Sequence, residues 1–138
     1  AATLFFDILK GYISIVITFK YFNELIYLSA LICFIGHIFP AWLKFKGGKG
    51  VATYLGIILG ISFTLGLVFG IAWILIAIIF RYSSLSSILG SMIVCIYSIF
   101  INNEIQTYFL FIIFVIIVFT HKENIIRLKN SKESKIKL

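Results

Sequence analysis

The chain of 138 residues is short of acid: five Asp and Glu stand against twelve Lys and Arg, and all charged residues together make up 12%. A soluble domain carries about 25% charge, and a domain this small leaves a large share of its surface in its solvent. The polar residues present cannot make that skin for water. This excludes a soluble globular domain and a disordered chain. Between Val51 and Phe80 there is no charge at all. Cysteine occurs only at Cys33 and Cys95, both inside apolar runs, where a lone thiol behaves as a small buried hydrophobe and not as half of a disulfide. Two His and no CxxC or paired-His spacing give no zinc ligand set. No metal and no cofactor are expected. The start Ala1-Ala2-Thr3 has no initiator Met and lacks the pattern of a signal peptide, so a fragment or a processed chain is expected.

What is there is apolar. Hydrophobic residues reach 62% and the mean hydropathy is +1.13, which makes lipid the solvent for most of the surface. The net charge of +7 is sharply placed. Lys44, Lys46 and Lys49 form one cluster, Arg81 stands alone, and Lys122, Arg127, Lys129, Lys132, Lys135 and Lys137 form a tail. A nucleic-acid-binding domain would spread such charge along one soluble face. Here it sits between apolar runs, as in the cytoplasmic loops of membrane proteins.

Apolar runs cover 4–21, 25–39, 51–80, 85–101 and 105–120. They lack the alternating polarity of membrane barrel strands, and lipid forces backbone bonding within each segment. The fold class expected is all-α, a polytopic integral membrane helix bundle. As one helix, 51–80 would rise ~45 Å, too long for a ~30 Å core, so a turn within Gly60–Gly66 is expected. Putting every basic segment on one side requires each apolar block to cross an even number of times. Three hairpins, 4–39, 51–80 and 85–120, satisfy this with about six crossings. Residues 1–121 then form one transmembrane domain with a cytoplasmic Gly/Lys loop at 44–50, and 122–138 a basic cytoplasmic tail.

Residues 36–53 read GHIFPAWLKFKGGKGVAT: a proline break, a glycine-rich loop with three lysines, then a helix start. Glycines let successive N–H groups turn inward as an anion nest, and a helix N-terminus adds about half a positive charge. Around Gly47, Gly48 and Gly50, Lys46 and Lys49 add full charges. This suits phosphate. It is not a P-loop, because Leu43 stands where the first glycine belongs and Gly50 follows Lys49. The same composition serves an ordinary positive-inside loop, and both readings stand. Arg81-Tyr82-Ser83-Ser84-Leu85-Ser86-Ser87 can hold a phosphate or carboxylate through Arg81 and hydroxyls such as Ser84; its plainer reading is a snorkelling Arg ahead of a capped helix. His121 and Asn124 share a helix face at i,i+3. His37 stands one turn before Pro40, placed to orient the loop. Asp7 and Lys10, also i,i+3, read as mutual neutralisation at a membrane edge.

Taken together, GHIFPAWLKFKGGKGVAT, RYSSLSS, HKENIIRL and Asp7-Ile8-Leu9-Lys10-Gly11, in this order and spacing, resemble the motifs of the bacterial acyl-phosphate:glycerol-3-phosphate acyltransferases, the PlsY family. The family carries a further membrane helix and a Ser-Gly-Asn motif ahead of the segment where this chain begins, so an N-terminally incomplete member is expected. The resemblance implies an enzyme of phospholipid synthesis in the bacterial inner membrane, with its active face in the cytoplasm. It would move a fatty acyl group from acyl phosphate to glycerol 3-phosphate and give lysophosphatidic acid. Its expected partners are those two substrates and membrane lipid, not nucleic acid. The catalytic residues implied are His121, Asn124 and Lys49. Substrate binding falls to Lys46, Gly47, Gly48, Lys49, Gly50, Arg81, Ser84 and His37. A small transporter or an inactive copy is the competing class.

Overall fold

The computed structural model of the chain describes residues 2–45, 47–101 and 103–137. Lys46 lies outside the described residues. The helices are α1 (Ala2–Tyr21), α2 (Ile26–Ile38), α3 (Val51–Ile61), α4 (Phe63–Phe80), α5 (Ser83–Ile99), α6 (Glu104–Thr120) and α7 (Lys122–Lys129), with 3₁₀ turns at Asn23–Leu25 and Ala41–Leu43. No strand occurs among the described residues, and the all-α expectation holds.

Several helix boundaries have a local reason. Pro40 disfavours the α region for the residue before it, and Phe39 sits at φ −122°, ψ 58°, just past α2. Arg81 takes the left-handed region at φ 63° after α4, and its N–H donates to the Ala77 carbonyl at 2.9 Å. The Asn103 side chain accepts from the Gln106 N–H at 3.0 Å, capping α6 in the usual Asn manner. The run 51–80 is two helices, as expected, but glycine does not make the break. Ser62 is extended at φ −157°, ψ 122°, while Gly60 and Gly66 stay helical and permit close packing instead: a Cβ at Gly60 would lie 2.7 Å from Cβ of Ile15.

By length and composition α1 and α4 can cross a membrane, and α6 with α7, bent by 60° between them, forms a third candidate span. The 11 residues of α3 rise only about 16 Å, roughly half of a ~30 Å core. Length therefore supports two or three spans among the described residues, fewer than the six expected from charge placement.

The chain divides into two compact units, residues 1–67 and 68–138. In the first, α1 lies along α3 with their backbones in contact. A Cβ on Gly11 would meet the Thr53 carbonyl oxygen at 2.5 Å, and one on Gly56 would run into the Ile8 carbonyl. Membrane helices associate through such small-residue contacts, because lipid supplies no hydrophobic drive between them. Thr18 Oγ1 donates to Ser29 Oγ at 2.8 Å and ties α1 to α2. Ile15, Ala30, Phe34, Ile57 and Ile58 are fully buried. In the second unit, α5 buries a stripe of small residues, Ser84, Ser87, Gly90, Ser91, Val94 and Ser98, and packs against α6. The hydroxyls of Ser86, Ser87, Ser91 and Ser98 bond back to carbonyls of their own segment, Ser86 to that of Tyr82 at 2.8 Å and Ser91 to that of Ile88 at 2.9 Å. They are thus satisfied without water. Phe5, Phe6, Phe63, Ile79 and Phe111 are among the large apolar side chains left exposed, the surface that lipid covers.

Candidate functional site

In the first unit the glycine loop folds back onto the end of α2. The Gly47 N–H donates to the Ile38 carbonyl at 3.1 Å, so that amide is spent on the fold and not on a ligand. A Cβ on Gly47 would run into the His37 carbonyl oxygen, and would lie 2.6 Å from the Ile38 carbonyl and from Cδ of Pro40. Gly50 is left-handed at φ 83° and directly precedes α3; a Cβ there would meet the buried Phe34 ring at 2.5 Å. At Gly48 the obstacle is His37 Nε2, 2.5 Å away. The three glycines are thus required for close approach, each to a different neighbour.

These residues line a cavity of about 750 Å³, together with Asp7, Lys10, His37, Lys49 and the first residues of α3, Val51 and Ala52. The first N–H groups of a helix have no partner within it, and the dipole makes that end attractive to anions. Four expected ligands, His37, Gly48, Lys49 and Gly50, therefore meet at one concavity, with Gly47 as the clamp. Two residues read as mere neutralisation also reach it. Lys10 Nζ donates to Asp7 Oδ1 at 2.6 Å and stands 2.6 Å from His37 Nδ1.

In the second unit a buried carboxylate organises the site. Glu133 Oε1 accepts from Ser84 Oγ at 2.7 Å and from Asn124 Nδ2 at 2.6 Å, and Oε2 accepts from Arg127 Nε at 2.7 Å. Its side chain is only 7% exposed. Burial works against the charge, but the hydrogen bonds from Asn124, Ser84 and Arg127 and the Arg127 charge outweigh it, and the carboxyl is held at about 2. Three residues further on, the Ile136 N–H donates to the Arg81 carbonyl at 2.7 Å, and Arg81 Nη2 donates back to the Ile136 carbonyl at 3.1 Å. The C-terminal segment is strapped to the start of α5.

His121, at the joint of α6 and α7, is 2% exposed. Its Nδ1 lies 2.8 Å from the Ile117 carbonyl. A carbonyl can only accept, so Nδ1 carries a proton, and in the neutral form of the ring this leaves Nε2 as the acceptor. Asn124, one turn on, is 5% exposed. Ser84 and Asn124 therefore converge, Arg81 is engaged beside them by the same strap, and His121 stands one turn away. The residue missed in the sequence is Glu133. Its signal was present: it is the only acid after Glu123, set among cations. A basic tail conceals a single carboxylate whose role is to be surrounded by donors.

The family model described as glycerol-3-phosphate acyltransferase matches residues 1–131. A Pelagibacter ubique protein named glycerol-3-phosphate acyltransferase is 47% identical over 137 residues, covering 99% of this chain and 71% of the relative. One of the same name from Ehrlichia canis is 44% identical over 138 residues, covering 97% and 71%. Among solved structures, the crystal structure of PlsY (YgiH), an integral membrane glycerol 3-phosphate acyltransferase, in its glycerol 3-phosphate form superposes with a TM-score of 0.93 at 31% identity, covering 97% of this chain and 69% of that one. Its lysophosphatidic acid form gives 0.91 at 32% identity, with 96% and 69% covered.

Proposed function

Because the chain belongs to the glycerol-3-phosphate acyltransferase family, we propose that it transfers a fatty acyl group from acyl phosphate to the 1-hydroxyl of glycerol 3-phosphate, giving lysophosphatidic acid and phosphate for phospholipid synthesis. The observation that carries this reading is the glycine-loop cavity, which gathers Gly48, Lys49, Gly50 and the start of α3 around a space of about 750 Å³. That arrangement suits a phosphoryl group, which both substrates bear.

Lys49 and the loop amides are assigned the acyl phosphate, with His37 as a further donor and Lys46 as a second charge. Ser84, Arg81, His121 and Asn124 are assigned glycerol 3-phosphate. An acyl phosphate is already activated, so no acyl-enzyme is needed. The hydroxyl oxygen forms a bond to the acyl carbon, the carbon–oxygen bond to phosphate breaks, and phosphate leaves with the electron pair. The hydroxyl proton passes to His121 Nε2 or to a phosphate oxygen of the substrate. Positioning and stabilisation of the developing anions then account for the rate.

The acyl chain is assigned to the space between α1 and α2. A second cavity, of about 370 Å³ and lined by Thr18, Phe22, Leu25, Leu28 and Ser29, shares Ile32 and Cys33 with the loop cavity. From Gly36 back to Leu25 is roughly 16 Å along α2, room for most of a fatty chain. The topology proposed has six crossings in the bacterial inner membrane. Residues 1–121 form the membrane domain, and the Gly/Lys loop, Arg81 and the tail 122–138 lie in the cytoplasm.

The test is incorporation of labelled glycerol 3-phosphate by purified protein supplied with palmitoyl phosphate. Lysophosphatidic acid should appear, and no thioester donor should be needed. Equal rates with acyl-CoA would refute the donor assignment. Solute flux in vesicles without product would replace the enzyme with a transporter.

A further inference from the structure

The proposed reaction gives His37 a task at the loop cavity but leaves none to Lys10 and Asp7, which reach it. Lys10 Nζ is 2.6 Å from Asp7 Oδ1 and 2.6 Å from His37 Nδ1. Asp7 Oδ1 is 3.5 Å from the same ring nitrogen. An Asp–Lys pair that served only to cancel charge would need no third partner, yet the lysine reaches an imidazole 27 residues away.

The geometry fixes the protons. A lysine ammonium has three donors and no acceptor. Between a carboxylate and Nδ1 it donates to both, so Nδ1 must accept. A neutral imidazole that accepts at Nδ1 carries its proton on Nε2. A second proton, on Nδ1, would point head-on at the ammonium. Nε2 in turn faces the glycine loop, 2.5 Å from where a Cβ on Gly48 would stand. The imidazole side chain is 14% exposed, open only toward its neighbours and the cavity it lines. The second histidine, His121, has the opposite arrangement, with Nδ1 donating to a carbonyl.

We propose that Lys10, anchored by Asp7, is a positioning residue that holds His37 as the Nε2–H tautomer, so that this N–H donates to the phosphoryl group bound at the glycine loop. The identity of that group, glycerol 3-phosphate or acyl phosphate, rests on the acyltransferase reading; the tautomer does not. Asp7 accepts from the ammonium at 2.6 Å and aims it, and Lys10 acts on the ligand only through the ring.

The experiment uses the full chain with ¹⁵N-labelled histidine in lipid nanodiscs, read by two-bond correlation of the ring nitrogens. With only two His in the chain, each ring is assigned by removing the other. The expected spectrum shows opposite tautomers, Nε2–H for His37 and Nδ1–H for His121. An Nδ1–H or doubly protonated His37 at neutral pH overturns the proposal before any variant is made. Lys10→Met should move His37 to mixed tautomers while His121 stays unchanged. Lys10→Arg, also a pure donor, should restore the wild-type pattern, and Asp7→Asn should loosen it. An unaltered His37 spectrum in Lys10→Met refutes the relay.

Titration with glycerol 3-phosphate and, separately, with palmitoyl phosphate reads the ligand arm and tells the two sources apart. Lys10→Met and His37→Phe should each weaken the affected ligand about tenfold, the size of one hydrogen bond to a charged group. The double variant should be no worse than His37→Phe alone, as expected for residues acting in series. A further tenfold loss in the double variant would mean that Lys10 acts by its own charge and would overturn the positioning role. Tautomers as stated, with wild-type affinity for both ligands in His37→Phe, would overturn the N–H contact. Failure of acyl transfer with the tautomers intact would strike the acyltransferase reading and leave the relay standing.

Discussion

Glu133→Gln removes one charge and keeps the shape, so it isolates what the buried carboxylate contributes. In the fold the carboxyl is held at about 2 instead of an ordinary 4.5. That is roughly 2.5 pH units, or ~3.4 kcal/mol at 1.36 kcal/mol per unit, as an upper figure for docking the strap at neutral pH. Gln still accepts through one oxygen, but its amide nitrogen opposes a donor, so a loss of about 2–3 kcal/mol is expected. The sign follows from linkage. A depressed carboxyl pKa stabilises the docked strap above 4.5, and the contribution is lost as pH falls toward 2. By pH 4 it has dropped by ~0.8 kcal/mol, about fourfold in population. The probe is the Ile136 N–H, which donates to the Arg81 carbonyl at 2.7 Å only when the strap is docked. Hydrogen exchange, corrected for intrinsic rates, should show about 30- to 160-fold less protection at Ile136 in Glu133→Gln at pH 7. Wild-type protection should fall about fourfold from pH 7 to pH 4, while the variant stays flat. Wild-type protection in the variant, or the same pH drop in both proteins, would show that the carboxylate does not hold the strap.

Gly56→Ala places a Cβ against the Ile8 carbonyl and should cost about 1–3 kcal/mol as overpacking between α1 and α3, seen as a lower melting temperature in detergent. Gly70→Ala, with nothing within 4 Å, is the neutral control. Gly48→Ala and Lys49→Ala should lower acyl transfer at limiting acyl phosphate about tenfold or more at matched membrane abundance, whereas Lys49→Arg should not fully rescue, since a fork is not a compact point charge. Wild-type rates for both alanine variants would leave the loop as a topological anchor. Accessibility tags at positions 48, 82 and the C-terminus should all report cytoplasm and one near 102 the outside; the Lys44–Lys49 loop and the tail on opposite faces would end the three-hairpin topology.

The glycine loop was legible because its task is local. Gly47-Gly48-Lys49-Gly50 followed by an uncharged run describes a loop that must turn tightly and start a helix. The reading of what the glycines avoid was not available. The cradle at Gly48 is limited first by His37, a residue of α2 that the loop folds back onto. In the same way His121 and Asn124 could be paired by their spacing, but the carboxylate that orients Asn124 could not. Glu133 meets Ser84 across 49 residues, and nothing in either segment encodes the other.

The amino-acid sequence by itself determined the solvent, the helical class and the breaks. A charge content of 12% with unbroken apolar runs leaves lipid as the only surrounding, and in lipid the backbone must bond within each segment. Those are sums over composition and over neighbours in the chain. The helix register was decided only by the tertiary structure. A helix apolar all round presents no preferred face, as the uninterrupted stretch FTLGLVFGIAWILIAIIF of α4 illustrates. Which side of α1 meets α3, and hence whether Gly11 faces Thr53 and Lys10 reaches His37, is settled by small residues fitting backbone to backbone. That fit is a property of two distant segments together, and neither carries it alone.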